Sequence, residues 1–384
     1  MDKNQTILKL GKQNYVALFC NTLNGGGAER VMVTLANGFV QRGLKVDFLL
    51  CQKVGSLLEE LNSSVRIIDL KTSRTRNVIF KLARFLFKNK PDVLLSTQTH
   101  INITSVLANW LSFKSTKNVI REASTPSIAN HHHSYTKQPL LRNIYKKIYR
   151  SADAIVSVSF ESRKDIVKYY ELSESKIYNI YNPIYSTQLI NKSLEPVAHD
   201  WLNDKSKRVI IGMGRIATPK NFPNLVRAFA LVHQQMSNSR LMILGSKRPR
   251  FVHVYEEVCS VIEQNGLQEV VDLCGFVSNP FAYLSKAALF VLSSDWEGLP
   301  GSLIQALSCG CPVVSTKCKS GPTEILENGK YGRLVETNNA PALADAIRMT
   351  LENPPDRSVL VQRGQFFDVD NAVESYIELF HKVI

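Results

Sequence analysis

The most informative stretch of the chain is Ser293-Ser-Asp-Trp-Glu-Gly-Leu-Pro-Gly301, which continues as Ser302-Leu-Ile-Gln-Ala-Leu-Ser-Cys-Gly-Cys-Pro-Val-Val314. It places a carboxylate, Glu297, on a loop rich in glycine and proline, followed by a helical pattern, a glycine that ends the helix and a buried strand. Loops that follow buried strands often carry ligand-binding groups. The stretch therefore predicts that Glu297 and the neighbouring amides lie at a ligand site.

Short apolar runs alternate with amphipathic segments along the rest of the chain. This alternation predicts β-α-β units and a doubly wound parallel sheet, with ligands beyond the carboxyl ends of the strands. The pattern starts again after a polar stretch near residues 184–206. The predicted strands are residues 15–21, 46–51, 65–70, 92–96, 118–121, 154–158 and 177–181, then 208–213, 241–244, 270–273, 288–292 and 312–315.

The 384 residues exceed the size at which a single hydrophobic core stops growing, so we expect two Rossmann-like domains with a ligand cleft. Their predicted bounds are residues 1–190 and 191–365. Residues 366–384 are predicted to form a terminal helix that is a candidate to pack back on the first domain. Its apolar stripe, at helical spacing, comprises Val373, Tyr376, Ile377 and Phe380.

The net charge of +14 is concentrated in the N-terminal half. Residues 1–200 hold 28 basic and 15 acidic side chains, whereas the remainder holds 19 and 18. An anionic partner of the first half is therefore expected. Nucleic acid, anionic lipid and a diphosphate-bearing acceptor all fit the charge.

The seven cysteines form no C-x-x-C pair, and the polar N-terminal residues do not resemble a signal peptide. We therefore expect reduced thiols and a cytoplasmic protein. A metal or redox role for Cys309 and Cys311 is the weaker alternative, because two ligands do not complete a site.

A glycine-containing loop follows the first strand of each predicted sheet. In Gly25-Gly-Gly-Ala-Glu-Arg30, the amides of Gly26 and Gly27 can face an anion at a helix N-terminus, although a simple tight turn is the alternative. In Gly212-Met-Gly-Arg-Ile-Ala-Thr-Pro-Lys220, Arg215 and Lys220 leave the strand end together and can hold a diphosphate. The alternative for these two cations is a pair of solvated surface charges.

Together these motifs resemble the retaining glycosyltransferases of family four, which have the GT-B fold of two Rossmann-like domains. The resemblance also includes Gly275-Phe-Val277, residues 306–314 and Gly321-Pro-Thr-Glu324. It implies that residues 1–190 bind the acceptor and that residues 191–365 bind a nucleotide diphosphate sugar. It further implies a reaction that uses no metal and no other cofactor.

The resemblance assigns the catalytic roles to three residues. Arg215 and Lys220 would bind the donor diphosphate, and Glu297 would bind the hydroxyls of the donor sugar. The other donor-binding candidates act through backbone groups or an amide, and they are Gly26, Gly27, Gly214, Phe276, Val277, Gly298, Leu299 and Gln305.

Two positions depart from the family pattern. Gln305 stands where the family has a second glutamate that contacts the ribose, so the contact keeps its hydrogen bond without the charge. Ala123 stands where many relatives have a histidine near the C6 hydroxyl of the donor sugar. We hypothesise a donor that lacks or alters its 6-hydroxyl group.

The acceptor-side candidates are His100, at the end of the fourth strand, and Arg121 and Glu122, at the end of the fifth. A helix-capping or structural role is the alternative for His100. The histidines of residues 131–133 are not expected to bind a metal, because adjacent histidines in a loop do not readily converge on one ion.

Two basic segments, residues 74–90 and 140–150, combine apolar positions with cations and lack acidic residues. Packing of their apolar sides on the sheet is one explanation. The pair of segments predicts peripheral binding to the anionic cytoplasmic face of the inner membrane.

The sequence thus predicts a retaining hexosyl- or N-acetylhexosaminyltransferase of bacterial cell-surface glycan synthesis, with a lipid-linked or other saccharide acceptor. One alternative is a nucleotide-sugar epimerase or hydrolase, for which no convincing acid/base pair is present. Another is a degenerate GT-B protein that only binds a glycan. Nucleic-acid binding rests on charge alone and is not expected.

Overall fold

The computed structural model describes residues 13–72, 75–129 and 139–384, which divide into two compact units. The N-terminal unit ends at Pro183 and also includes Val369–Ile384, and the C-terminal unit is Ile184–Asp368. The sequence analysis placed these divisions at 190 and 365. The C-terminal unit begins at Ile184, whose amide donates to the carbonyl of Phe367 at the far end of the same unit.

The N-terminal unit is built on a parallel sheet of seven strands in the order β3-β2-β1-β4-β5-β6-β7. Its central strands are fully buried apolar runs, as expected for a sheet covered on both faces. The strands are β1 Tyr15–Cys20, β2 Lys45–Leu50, β3 Arg66–Asp69, β4 Val93–Thr97, β5 Lys117–Glu122, β6 Ala154–Ser157 and β7 Ile177–Asn179.

Helices connect the successive strands of this sheet, except between β2 and β3, where a short 3-10 helix at Ser56–Glu60 stands, and they cover its two faces with separate apolar clusters. They are α1 Gly27–Gln41, α2 Thr75–Asn89, α3 Thr99–Leu111, α4 Pro126–Ala129, α5 Pro139–Ser151 and α6 Phe160–Tyr170. Because each helix runs back along a strand, its N-terminus lies at the carboxyl edge of the sheet and its C-terminus at the amino edge.

The C-terminal unit repeats this arrangement with six parallel strands in the order β10-β9-β8-β11-β12-β13. The strands are β8 Arg208–Met213, β9 Ser239–Leu244, β10 Val271–Gly275, β11 Leu289–Leu292, β12 Val313–Thr316 and β13 Arg333–Val335. The helices are α7 Thr187–Ser193, α8 Asp200–Asn203, α9 Phe222–Gln235, α10 Val252–Gln264, α11 Pro280–Lys286, α12 Gly301–Ser308, α13 Pro322–Ile325, α14 Ala340–Glu352 and α15 Arg357–Gln365. The prediction of two doubly wound sheets is confirmed, although β13 was not predicted.

The terminal helix α16, Val369–Val383, returns to the N-terminal unit and packs against α1. The ring of Phe39 lies 5.5 Å from that of Phe380, and Arg42 forms ion pairs of 2.9 and 2.7 Å with Asp370 and Glu374. All four residues of the predicted apolar stripe are buried. The last segment of the chain therefore completes the core of the first unit.

In the ranges described above, no helix combines the length and apolar character needed to cross a bilayer.

Candidate active site

Two loops at the carboxyl edge of the C-terminal sheet bring a lysine and a glutamate together as an ion pair. The ammonium of Lys220, in the loop after β8, donates to Oε1 of Glu297, in the loop after β11, at 2.6 Å. The hydroxyl of Ser294 donates to the same oxygen at 2.7 Å. The side chains of Lys220 and Glu297 are only 20% and 15% exposed, so the ion pair is shielded but still accessible from the edge.

Further hydrogen bonds fix these two loops to each other. The Ser293 hydroxyl donates to the carbonyl of Lys220 at 2.8 Å, and the Asp295 amide donates to the carbonyl of Pro219 at 2.9 Å. Asn221, whose φ is +44°, donates to the Asp295 carboxylate at 2.9 Å and accepts from the amide of Asn224 at the start of α9. The position of Lys220 relative to Glu297 is therefore set by the backbone of both loops.

Asp295 is part of this network and was not a predicted site residue. Burial raises the pKa of its carboxyl above the ordinary value, and the hydrogen bond from Asn221 opposes that shift. Its position near Lys220 and Glu297 could have been inferred from the sequence, because Asp295 lies two positions before Glu297 in the same loop.

Two glycines, Gly214 and Gly245, leave space for the side chain of Lys220 and for the close approach of the loops that follow β8 and β9. Gly214 has a φ of +149°, and a Cβ there would lie 2.7 Å from Cε of Lys220, so the lysine stem runs across the glycine. A Cβ at Gly245, after β9, would lie 1.8 Å from the carbonyl oxygen of Gly214. The ends of β8 and β9 therefore approach each other more closely than any side chain would allow.

The loop after β9 adds cations that the sequence analysis missed. It contains Lys247, Arg248 and Arg250, all exposed, and its Ser246 carbonyl accepts the amide of Ile216 at 3.4 Å. Arg215 is also exposed and forms no ion pair within the described part of the chain. The loop after β9, with its exposed cations, thus lies beside the loop that carries Lys220.

The N-terminus of α12 is the third component of this edge. Helix α12 follows the loop of Glu297, Gly298 and Leu299, and its N-cap residue, Pro300, provides no side-chain hydrogen bond. The Ser320 hydroxyl donates to the carbonyl of Gly298 at 2.8 Å and anchors that loop. Because the first amides of a helix favour an anion, this edge combines cations with oriented amides.

The remaining donor-site candidates lie on the same unit. Gln305 lies on α12 and is half-buried. Phe276 and Val277 follow Gly275 at the end of β10, the edge strand, and Phe276 is 67% exposed. Contact of these residues with a donor stays a prediction.

In the glycine loop of the N-terminal unit, one of the two candidate amides has an internal partner, and anion binding there stays a prediction. The amide of Gly26 already donates to the carboxylate of Glu29, one turn into α1. A bound anion would compete with this carboxylate for that amide. Gly27 begins α1 with open space around it.

Arg121 and Glu122 are buried inside the N-terminal unit, each 1% exposed. Arg121 donates to the Thr97 hydroxyl at 2.9 Å and also to the Asn182 amide oxygen. These two contacts tie the guanidinium to internal partners, so direct contact between it and an acceptor requires rearrangement.

Glu122 accepts from the hydroxyl of Tyr149 at 2.6 Å and from that of Ser124 at 2.7 Å. Burial raises the pKa of this carboxyl, and its hydrogen bonds oppose the shift. His100, by contrast, is exposed near the start of α3. An acceptor role stays a prediction for all three candidates.

All seven cysteines are free thiols. Cys318 lies near Glu297, and burial, with a contribution from that carboxylate, raises the pKa of its thiol to about 12. Burial also raises the pKa of Cys309 to about 12. Neither thiol is therefore an activated nucleophile at neutral pH.

No three His, Cys, Asp or Glu side chains in the described ranges are grouped to hold a metal ion. The histidine run at 131–133 lies outside those ranges.

Comparison with known families matches both units. Residues 25–187 match the family described as Glycosyltransferase Family 4, and residues 197–366 match Glycosyl transferases group 1. This chain belongs to the family-four glycosyltransferases.

Curated relatives of this glycosyltransferase extend over nearly its full length. It is 29% identical over 360 residues to the N-acetylgalactosamine-N,N'-diacetylbacillosaminyl-diphospho-undecaprenol 4-alpha-N-acetylgalactosaminyltransferase of Campylobacter jejuni, covering 88% of this chain and 90% of that protein. It is 26% identical over 385 residues to the GalNAc-alpha-(1->4)-GalNAc-alpha-(1->3)-diNAcBac-PP-undecaprenol alpha-1,4-N-acetyl-D-galactosaminyltransferase of the same organism, covering 96% and 98%.

Among solved structures, Anabaena Alr3699/HepE in complex with UDP and glucose aligns with a TM-score of 0.78 at 18% identity, covering 96% of this chain and 99% of that one. This likeness confirms the GT-B fold of the glycosyltransferase. Its homologues act in bacterial polysaccharide and lipid-linked glycan synthesis. The prediction of a glycosyltransferase is confirmed.

Proposed function

We propose that this glycosyltransferase moves a hexose or N-acetylhexosamine from a UDP-sugar to a saccharide carried on a lipid diphosphate, with retention at the anomeric carbon. The observation that carries the proposal is the shielded Lys220–Glu297 pair beside exposed cations and the start of α12. The names of the two Campylobacter jejuni relatives support a lipid-linked acceptor. The neighbour in complex with UDP and glucose supports UDP as the nucleotide.

The proposed reaction breaks the bond between the anomeric carbon and the phosphate oxygen and forms a bond from that carbon to the acceptor oxygen. The acceptor's proton passes to the leaving phosphate. Negative charge on the diphosphate therefore grows in the transition state, where Lys220, Arg215 and the first amides of α12 would stabilise it. No residue of the chain acts as a covalent nucleophile in this scheme.

Glu297 would have two functions in this site. Its hydrogen bond from Lys220 orients the ammonium, and the carboxylate would accept hydrogen bonds from the donor-sugar hydroxyls. Because both groups are shielded from water, their interactions with a bound ligand would be screened less than at a fully exposed site. The diphosphate charge would be met by protein groups alone, so we propose a reaction without a metal.

A panel of nucleotide sugars tests the proposal directly. The full chain is incubated with each donor and with a synthetic lipid diphosphate carrying a saccharide, and products are identified by mass spectrometry and by NMR of the new anomeric centre. We expect transfer from a UDP-sugar with the donor's anomeric configuration kept, in the presence of a chelator. Inversion, or transfer that the chelator abolishes, would contradict the mechanism.

The same panel examines donor choice. Ala123 is half-buried next to Glu122, and we propose that a small side chain there suits a donor lacking or altered at its 6-hydroxyl group. Such a donor should then be used more efficiently than its 6-hydroxy counterpart. A robust preference for an ordinary 6-hydroxy donor would refute this point without affecting the rest of the proposal.

A further inference from the structure

The loop after β12, residues 317–321, packs against the loop after β11 that ends in α12. Trp296 and Lys319 form an isolated parallel β-bridge between the two loops. A Cβ at Gly321 would lie 2.5 Å from Cδ of Pro300, the N-cap residue of α12. The backbones of the two loops therefore approach each other more closely than a side chain at this glycine would allow.

Ser320 lies in the middle of this contact and has an unusual backbone conformation. Its φ is +69°, in the left-handed region that favours glycine, although the residue is a serine and is fully buried. Its hydroxyl donates to the carbonyl oxygen of Gly298 at 2.8 Å. A glycine at position 320 would relieve the conformational strain but would remove that hydrogen bond. The hydroxyl is therefore what a serine contributes at this position.

The hydrogen bond from Ser320 fixes the orientation of the peptide group between Gly298 and Leu299. This peptide bond is trans, so the carbonyl of Gly298 and the N–H of Leu299 point in opposite directions. Because the carbonyl is held toward Ser320, the N–H of Leu299 faces away from the loop after β12. The direction of this amide, just before the start of α12, is thus set by a side chain of a different loop.

A peptide group that follows a glycine can turn over easily. Glycine has no Cβ, so Gly298 accepts the backbone torsion angles on both sides of such a flip. A flip would bring the carbonyl oxygen, which carries partial negative charge, to the side where the N–H of Leu299 had been. A diphosphate on that side would be stabilised by the N–H and repelled by the oxygen. Ser320 opposes the flip, because its hydrogen bond to the carbonyl would be lost.

We propose that Ser320 is a positioning residue that keeps the N–H of Leu299 directed at the departing diphosphate of the donor. This inference rests on the proposed function, in which amides at the start of α12 stabilise the charge that grows on that group. Ser320 acts through the peptide group of Gly298 and Leu299, rather than by contact with the donor. The family resemblance assigns the amide of Leu299 to the donor but gives Ser320 no role.

Two substitutions separate the hydroxyl from the backbone conformation. Ser320→Ala removes the hydroxyl and keeps the strained φ, whereas Ser320→Gly removes the hydroxyl and relieves the strain. Both should lower kcat at least about tenfold, part of the roughly hundredfold loss that follows removal of an oxyanion-stabilising donor. The KM for the donor should change less than about threefold, because the charge grows in the transition state. A Ser320→Gly variant with the kcat of the parent protein would overturn the proposal.

Ser285→Ala is the matched control. Ser285, on α11 of the same unit, is a half-buried serine whose hydroxyl donates to the carbonyl of Ser193 at 2.7 Å. The variant therefore loses the same kind of hydrogen bond outside the two loops, and its kcat should equal that of the parent protein. Equal losses of kcat in Ser285→Ala and Ser320→Ala would show a general effect of weakened packing and would contradict a specific role for Ser320.

Hydrogen exchange followed by mass spectrometry tests the inference without sugar transfer. In the free protein, the amides of residues 297–301 should exchange faster in Ser320→Gly than in the parent protein. UDP should protect residues 213–221 and 297–301 in the parent protein, but only residues 213–221 in Ser320→Gly. Protection of both segments in the variant would overturn the role of Ser320. Protection of neither segment in the parent protein would instead overturn the proposed donor site, on which this inference depends, so the two failures are distinguishable.

Discussion

The carboxyl edges of the two sheets have the same topology and opposite uses of charge. In the C-terminal unit, Lys220 and Glu297 are shielded but accessible, and Arg215 and the cations after β9 are exposed. In the N-terminal unit, Arg121 and Glu122 are buried and hydrogen-bonded to neighbouring strands and helices. The charged side chains at the edge of the C-terminal sheet are available to a ligand, whereas those at the edge of the N-terminal sheet form hydrogen bonds within the fold.

The difference shows that position at a strand end is not sufficient to identify a binding residue. An arginine whose N–H groups already donate to internal acceptors has few donors left for a ligand. Its removal therefore affects mainly the stability of the fold. An exposed cation such as Arg215, or a half-shielded one such as Lys220 whose partner also faces the edge, can instead gain energy from a phosphate. The two edges therefore give opposite expectations for substitution of a charged residue.

The largest effect is expected for Lys220→Ala. Loss of a charge that stabilises the leaving diphosphate should lower kcat by about a hundredfold to a thousandfold, comparable to loss of an oxyanion-stabilising donor. Initial rates with the best UDP-sugar measure this effect. Lys286→Ala, at an exposed lysine of the same unit, is the control, and retained activity in Lys220→Ala would refute the role of the ammonium.

The next effect concerns stability at the other edge. Arg121→Ala leaves a cavity and removes the donor that Thr97 and Asn182 accept from, so the free energy of unfolding should fall by about 3 kcal/mol. Chemical denaturation measures the change. UDP binding by the folded variant should equal that of the parent protein, and a selective loss of that binding would contradict a purely internal role.

A smaller effect is expected for the exposed cations. Arg215→Ala should lower kcat/KM by about five- to tenfold, because it removes one contact to the departing diphosphate, and Arg248→Ala should raise the KM for the donor by a similar factor. Single charge-assisted contacts to a phosphate are worth about 1 to 1.5 kcal/mol at an exposed site. Steady-state kinetics at two salt concentrations measure this. Arg227→Ala removes an exposed arginine that is paired with Glu257, and it should leave KM unchanged.

The smallest effect is the pH dependence of stability due to Glu122. Because burial raises the pKa of its carboxyl, the protonated acid favours the folded state below the ordinary pKa, and this contribution is lost as the pH rises through the raised value. Glu122→Gln cannot ionise and therefore does not lose stability in this way. The thermal midpoint of the variant should thus rise relative to that of the parent protein as the pH increases from acid to neutral. Parallel pH profiles of the two proteins would show that Glu122 ionises without cost.

Most of the fold could be predicted from the sequence because buried parallel strands are continuous apolar runs. The strand β13 was missed because it has three residues and is only partly buried, so it has no such pattern. The predicted domain boundary at 190 also differs from the observed one at 183, because α7 belongs to the C-terminal unit. The carbonyls of Lys192 and Ser193 accept hydrogen bonds from Asn279, just before α11, and from Ser285 on α11. Contacts of this kind are not visible in a local pattern.

The candidate site was predictable to a similar extent. The loop motifs indicated Lys220 and Glu297, but their direct pairing depends on the register of two distant loops. Burial of Arg121 was likewise hidden, because it depends on tertiary contacts. The capture of the Gly26 amide by Glu29 is instead a local contact between residues three apart at the start of a helix, so the sequence could have indicated it. The cations after β9 could have been noticed as a basic cluster that follows a predicted strand. Only the contact of Gly245 with Gly214 shows that this cluster lies next to the loop after β8.

Calorimetric titration of the common nucleoside diphosphates into the full chain, Lys220→Ala and Arg121→Ala tests the contrast between the two edges most directly. We predict that UDP binds the parent protein, that Lys220→Ala weakens this binding at least about tenfold, and that folded Arg121→Ala binds UDP as the parent does. Unchanged affinity in Lys220→Ala, or lost affinity in folded Arg121→Ala, would contradict the assignment of the C-terminal edge as the donor site.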